Sequence, residues 1–206
     1  MSARLPDAYF DQMYADATDP WDLANRWYEQ RKYAITMALL PDRRYRHAFE
    51  PGCSIGTMTE LLAQRCDQVT AVDIAEAALV TAADRLSAAG CRDRVILGRS
   101  ALDGPWPAEP FDLVVLSEVG YYLDADLLAE VLARECARLP GVTLVAAHWR
   151  HDVADYPLSG DEVHDIITAT TGLTSLGRYR DDDVIIEVFS TDGASVAARE
   201  GVPGAT

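Results

Sequence analysis

The sequence predicts an α/β fold: an open, mostly parallel sheet with helices on both faces, closed by an antiparallel pair. Three observations predict it. Apolar stretches that read as strands alternate with stretches of helical periodicity from residue 45 to residue 170, the pattern of a parallel sheet with crossover helices. Phe111 to Ser117 is a near-continuous apolar run, as in a strand buried on both faces. The last two extended stretches, Arg178-Tyr179 and Val184 to Ser190, flank Asp181-Asp182-Asp183 with no helix between them and read as a closing hairpin.

Residues 1–45 form an extension ahead of the first strand. Asp7 to Ala15 reads as a short helix with Tyr9, Phe10, Met13 and Tyr14 as its aromatic side. Asp19-Pro20-Trp21 breaks it, because proline forces the residue before it to be extended. Asn25 to Leu40 reads as a longer helix stopped by Pro41-Asp42, and Ala34, Ile35, Ala38 and Leu39 should pack its second half on the sheet. In its first half, Trp27-Tyr28-Glu29-Gln30-Arg31-Lys32-Tyr33, aromatics alternate with charges. That suits a lid over a charged, aromatic cofactor; an amphipathic helix with its aromatics in the core and its charges in water is the alternative.

The stretch from Ala48 to Thr57 reads as a strand end, a tight turn and the first turn of a helix with Met58, Leu61, Leu62 and Cys66 on one apolar face. Gly52 and Gly56 permit a sharp bend and close approach of a ligand. The helix start offers unpaired N–H groups to an anion. Val69 to Asp73 is a second strand ending in an acid 21 residues after Gly52, which suits the two hydroxyls of a nucleoside ribose. Ala75 to Ala89 is a helix ended by Gly90, and Arg94 to Gly98 is a third strand. After the fourth strand, Phe111 to Ser117, comes a helix from Asp124 to Leu139, halted by Pro140-Gly141. Val142 to Ala147 is a fifth strand and Asp161 to Thr170 a further helix. Residues 1–191 therefore read as one domain. The tail from Asp192 to Thr206 is small, polar and rich in Gly and Pro, so disorder is expected there.

Composition narrows the function classes. The chain has 206 residues, 49% hydrophobic and 25% charged, ordinary values for a globular domain. A formal charge of −15, from 33 acids against 18 bases, argues against nucleic acid or an anionic membrane as partner and is compatible with a cationic small molecule. Four cysteines, at positions 53, 66, 91 and 136, have neither metal-like nor paired spacing, and reduced, buried thiols of a cytoplasmic protein are expected. No signal peptide opens the chain, and no apolar run reaches the roughly 18 residues needed to span a membrane.

Glycine spacing separates two cofactor classes. A dinucleotide turn, G-x-G-x-x-G, would need glycine where this chain has Ser54 and Thr57. The looser E/D-x-G-x-G-x-G turn of S-adenosylmethionine-dependent methyltransferases is met by Glu50, Gly52 and Gly56, with Ser54 in the middle position. A glycine-rich turn with no ligand is the remaining reading. In such sheets ligands bind at the carboxyl ends of the strands near the switch in strand order. That rule nominates Glu50 to Gly56, Asp73 and Ile74, Arg99 and Ser100, Ser117 to Tyr122, and His148 to His151 as the walls of one cleft.

The motifs then resemble one family. Trp27-Tyr28-Glu29 with Arg31-Lys32-Tyr33, Glu50-Pro51-Gly52-Cys53-Ser54-Ile55-Gly56, Leu116 to Leu123, His148-Trp149-Arg150-His151, Asp155-Tyr156-Pro157-Leu158 and Gly160-Asp161 are similar to nodulation protein S and its relatives. The likeness covers roughly residues 9 to 190. It implies a Rossmann-like class I methyltransferase fold with sheet order 3-2-1-4-5-7-6, S-adenosylmethionine as cofactor and, as in the founding members, N-methylation of the free amine of a deacetylated chito-oligosaccharide. The serine in the glycine turn is then a branch feature. Arg99-Ser100 departs from methyltransferases in general, which often carry an acid after the third strand for adenine N6; backbone groups and Ser100 would have to serve.

Methyl transfer asks mainly for placement, since the cofactor brings its own leaving group. Cofactor contacts are expected from Trp27, Tyr28, Arg31, Glu50, Gly52, Cys53, Ser54, Gly56, Asp73, Ile74, Ser100 and Ser117, with Arg31 gripping the cofactor carboxylate. Glu118 is the carboxylate placed to orient an amine, or a structural partner for a loop N–H or Arg31. His148 is the general-base candidate, or a packed and satisfied histidine. Tyr121, Tyr122, Trp149, Arg150, Asp155 and Tyr156 are expected to line the acceptor pocket, or to serve ordinary packing. The histidines and aspartates between His148 and His164 lack tight metal-ligand spacing, and no metal is expected. The expected function is a small-molecule methyltransferase for an amine, with an amino sugar as the expected acceptor. An O-methyltransferase, a non-sugar amine acceptor, or a cofactor-binding subunit without turnover are the alternatives.

Overall fold

A computed structural model describes residues 4–205. The strands are β1 Tyr45–Pro51, β2 Cys66–Asp73, β3 Val95–Arg99, β4 Leu113–Ser117, β5 Thr143–Trp149, β6 Thr174–Arg180 and β7 Val184–Ser190. They form one seven-stranded sheet in the order 3-2-1-4-5-7-6. Pairing is parallel from β3 through β5, and β7 runs antiparallel between β5 and β6. The helices are α1 Asp7–Asp16, α2 Trp27–Leu39, α3 Thr57–Arg65, α4 Glu76–Ala88, α5 Ala125–Cys136, α6 Gly160–Ala169 and the one-turn α7 Val196–Arg199.

Side chains alternate across a strand, so each central strand feeds two cores. In β4, Leu113 and Val115 join one cluster with Tyr33 of α2, Met58 and Leu62 of α3 and Leu86 of α4. Val114 and Leu116 join the other, with Leu128 and Leu132 of α5 and Val163 and Ile167 of α6. Burial on both faces is why the strand reads as an unbroken apolar run.

Helix ends are set locally. Asp124 caps α5 by accepting from Leu127 N at 2.9 Å. Ser159 and Glu162 form a reciprocal capping box that starts α6. The α3 helix ends at Arg65 and passes directly into β2, so Cys66, expected on the helix face, opens the strand instead. The edge strand β6 begins at Thr174, earlier than expected, because pairing with β7 recruits Thr174, Ser175 and Gly177. The C-terminal segment, expected to be disordered, places α7 against the domain. Arg199 reaches Asp42 at 2.9 Å and Asp192 at 2.8 Å, which gives the small, polar tail an anchor. No helix of the described residues is long and apolar enough to cross a membrane.

Candidate active site

A cavity of about 670 Å³ opens at the carboxyl ends of β1, β2 and β4 and is roofed by residues of α1, α2 and the segment between them. Strand order reverses between β1 and β4, so the loops leaving them diverge and leave a crevice.

One half is built on the turn after β1. Gly52 and Gly56 adopt φ of 75° and 77°, and Ser54 between them adopts 50°. A Cβ on Gly52 would lie 2.2 Å from Val119 Cγ1. This glycine thus lets the loop after β4 pack on the turn, rather than simply admitting a ligand. Ser54 takes the left-handed conformation at some cost and is held in it from both sides. Its N–H donates to Asp73 Oδ2 at 2.8 Å, and its hydroxyl lies 2.5 Å from the Tyr14 hydroxyl of α1.

Asp73 ends β2 with its other oxygen accepting from Ala75 N at 2.9 Å. Each oxygen thus has one backbone donor and keeps capacity for another. Burial pushes the Asp73 carboxyl above the usual range, partly offset by the N–H groups of Ala75 and Ser54. Glu50 is 3% exposed and has a single donor, the Thr59 hydroxyl at 2.6 Å. Burial, opposed by that bond and reinforced by Asp73, pushes its carboxyl up to about 8.

The other half is built on α2 and on the loops after β4 and β5. Glu118, the residue after β4, has φ 59°, which turns its side chain into the cavity. Its carboxylate accepts from Lys32 Nζ at 2.6 Å, the Tyr121 hydroxyl at 2.5 Å and Trp149 N at 2.9 Å. Lys32 is 1% exposed and also lies 2.7 Å from Glu29 Oε2. Burial opposes the Lys32 charge, but the Glu118 and Glu29 carboxylates outweigh it and hold the ammonium above its ordinary pKa. The rings of Tyr28 and Tyr33 stand 5.4 and 5.3 Å from Nζ. Tyr121 and Tyr156 stack at 4.8 Å, and Tyr28 meets Trp149 edge-on at 5.1 Å.

Buried polar atoms without a hydrogen-bond partner concentrate here. Among the described residues there are five, and those of Tyr28, Glu29, Thr57 and Asp103 belong to cavity-lining residues. Such atoms are rare in folded proteins because each costs about 1–3 kcal/mol. Four of them thus sit in residues that also line this cavity.

Comparison with known proteins fits this geometry. Residues 10–146 match the family model described as nodulation protein S (NodS). This chain belongs to the NodS family. It is 32% identical over 108 residues to nodulation protein S of Rhizobium tropici, covering 52% of this chain and 44% of the relative. It is 33% identical over 106 residues to that of Bradyrhizobium diazoefficiens, covering 51% and 49%. The chain thus spans about half the length of these relatives. Among solved structures, a candidate methyltransferase from Pseudomonas syringae is 35% identical with TM-score 0.67, over 80% of this chain and 99% of that one. The N-methyltransferase NodS of Bradyrhizobium japonicum WM9, in complex with S-adenosyl-L-homocysteine, is 25% identical with TM-score 0.78, over 89% and 96%. The expected class I methyltransferase fold and its sheet order are those of this family.

Within this NodS-family site, Tyr28, Glu50, Gly52, Cys53, Ser54, Asp73, Ile74, Ser100 and Ser117 line the cavity, as do Glu118, Tyr121, Tyr122, Trp149 and Tyr156. Six residues expected there lie elsewhere. Trp27 is 73% exposed on the outer side of α2. Arg31, one residue before Lys32, is rotated away from the cavity to Asp181 at 2.8 Å and the Tyr179 hydroxyl. Gly56 caps α3, and a Cβ on it would lie 3.0 Å from that of Ala82, so it serves the packing of α3 on α4. Arg150 forks onto Asp161 at 3.0 and 3.1 Å. Asp155 is exposed on the loop after β5.

His148 is the main correction. It is fully buried, its Nε2 accepts from Gly120 N at 3.1 Å, and its Nδ1 lies 3.2 Å from His164 Nε2. Burial first, then His164 and Lys32, push its pKa well below the usual value. Both ring nitrogens are occupied, so it fixes the loop carrying Glu118 and is not a base for an acceptor. Glu29, Lys32, Thr57 and Asp103 were missed as site residues. The charge–aromatic alternation in α2 was the available signal for the first two; Asp103 and Thr57 had none.

Proposed function

We propose that this chain is an S-adenosylmethionine-dependent N-methyltransferase whose acceptor is a free amine on a sugar-like ring. The observation that carries the reading is the single cavity joining two chemically distinct halves. One is the glycine turn with Asp73, and the other an aromatic, acid-rich wall with Glu29, Glu118 and Asp183. The bound S-adenosyl-L-homocysteine of the Bradyrhizobium japonicum relative supports the cofactor assignment.

The residues present fit that cofactor. Asp73 keeps acceptor capacity for two ribose hydroxyls. Asp103 supplies the acid that the residues directly after β3 lack. Its Oδ2 is held by Arg4 at 3.2 Å, and its Oδ1 is buried without a partner on the cavity wall, where the exocyclic amine of adenine would donate to it. Glu50 is a buried carboxyl on the cavity wall close to Asp73, where the cationic amino-acid end would favour its ionised form. When bound, the cofactor supplies an electrophilic methyl group.

The acceptor half supports an amine over a hydroxyl. Its acids outnumber its cations, Lys32 and Arg26, so positive charge developing on a nitrogen is stabilised there. Glu118 is fixed by three donors and so presents its charge without reorganising. The walls from Tyr28, Tyr121, Tyr156 and Trp149 give flat apolar faces for a ring. All four cysteines are buried free thiols, which supports a reducing, cytoplasmic setting.

The test is turnover with S-adenosylmethionine on a deacetylated amino sugar and on its N-acetylated form. Acetylation draws the nitrogen lone pair into the amide, so only the free amine should be methylated. Equal methylation of both would assign the acceptor to a hydroxyl instead.

A further inference from the structure

With His148 sealed and Glu118 held by three donors, methylation of an amine still requires a group to take the released proton. Glu29 sits in the first turn of α2, 7% exposed, on the cavity wall. Its Oε2 is ion-paired with Lys32 Nζ at 2.7 Å, though outside hydrogen-bond alignment. On the same turn Tyr28 also lines the cavity, and its buried hydroxyl has no hydrogen-bond partner. Two adjacent cavity-lining residues thus carry polar atoms that lack an aligned hydrogen bond, one of them a carboxylate oxygen.

We propose that Glu29 is the proton acceptor for the incoming amine, and that the Tyr28 hydroxyl hydrogen-bonds a neighbouring polar group of the same substrate. The inference rests on the amine-methyltransferase reading and names the residue that performs its proton transfer. The incoming ammonium passes one proton to the Glu29 carboxylate, and its freed lone pair forms the N–C bond while the C–S bond of a sulfonium methyl donor breaks, its electron pair staying on sulfur. The methylated nitrogen leaves as an ammonium, and Glu29 releases its proton to water.

The charged and titratable groups facing Glu29 are Lys32 and Tyr33 on its own helix and Glu118 from the loop after β4; Asp181 and Asp183 of the β6–β7 turn act on Tyr28 beside it. Burial pushes the Glu29 carboxyl up, Lys32 pulls it back, and Glu118 adds to the rise, so its basicity moves towards what proton transfer near neutral pH needs. Lys32 is also paired with Glu118 at 2.6 Å.

The experiment compares wild type, Glu29→Gln and Glu29→Asp across a panel of primary amines that includes glucosamine and a deacetylated chito-oligosaccharide. Glu29→Gln is expected to lower kcat by about 10²–10⁴-fold and to lose the acid limb of the pH–rate profile. Its affinity for S-adenosyl-L-homocysteine should stay within about threefold by calorimetry, and Glu29→Asp should restore part of the rate. A readout without turnover is the proton balance of glucosamine binding to the S-adenosyl-L-homocysteine complex, measured in buffers of different ionisation enthalpy. Wild type should release almost none, because Glu29 keeps the amine's proton, whereas Glu29→Gln should release close to one per amine. Wild-type turnover with unchanged kcat and pH profile in Glu29→Gln would overturn the proton-acceptor role. Lost cofactor affinity in Glu29→Gln would make Glu29 structural. Absence of turnover across the panel in wild type that still binds the cofactor product would overturn the amine reading underneath.

Discussion

Glu50→Gln reads the electrostatics of the cofactor half without any substrate. Glu50 is buried to 3% exposure, with one hydroxyl donor at 2.6 Å and Asp73 close enough to repel its charge. Its carboxyl rises from an ordinary 4.5 to about 8. Between those values the unfolded chain carries a carboxylate and the folded chain a carboxylic acid, so folding takes up one proton. Stability is therefore fully present below the unfolded value and falls as pH rises, by about 1.4 kcal/mol per pH unit. The loss reaches on the order of 3 kcal/mol at pH 7 and on the order of 5 kcal/mol once pH passes the folded value. Glutamine preserves the shape and still accepts from Thr59, but it cannot ionise. Its amide N–H₂ adds a cost of about 1–3 kcal/mol that does not vary with pH. The assay is urea denaturation of the ligand-free protein at pH 5, 6, 7 and 8. Wild-type stability should drop across the series, and the Glu50→Gln curve should be flatter by about one proton, so that the variant gains on wild type as pH rises. Parallel curves for the two proteins would refute a buried, pH-shifted Glu50.

Three further outcomes follow from named contacts. Asp73→Ala should weaken S-adenosyl-L-homocysteine binding by tens-fold, from lost charge-assisted bonds of about 1.5–3 kcal/mol; because Asp73 also holds Ser54 N and Ala75 N, denaturation should show a stability loss as well, and calorimetry with unchanged affinity would remove the assignment. His148→Ala leaves Gly120 N without its partner and opens a void, so it should cost about 2–4 kcal/mol of stability. Its turnover loss should persist as pH rises, whereas recovery at high pH would restore a base role. Arg31→Ala removes a half-exposed pair with Asp181, worth at most about 1 kcal/mol, and should leave cofactor affinity within about twofold; a tenfold loss by calorimetry would bring Arg31 into the site.

The glycine turn and Asp73 were legible because they depend on local rules: positive φ, strand length and an acid at a strand end. Gly52 shows the limit. Its spacing nominated the turn, yet the atom that requires glycine there is Val119 Cγ1, 67 residues away in the chain. Arg31 and Lys32 show it again. They are neighbours of like charge, and only the rotation of α2 on the sheet sends one to Asp181 and the other between Glu29 and Glu118.

By itself the sequence determined the strand and helix order, the two-sided burial of β4, the turn at residues 50–56 and the family motifs. Each follows from side-chain period or backbone allowance within a few residues, where chain connectivity already brings the atoms together. Tertiary structure alone decided which charges are buried and paired. It sealed His148 beneath Gly120, brought Asp103 to the cavity wall and set Glu29 Oε2 against Lys32 there. Burial and pairing are sums over groups distant in sequence, and no local pattern encodes which of them meet.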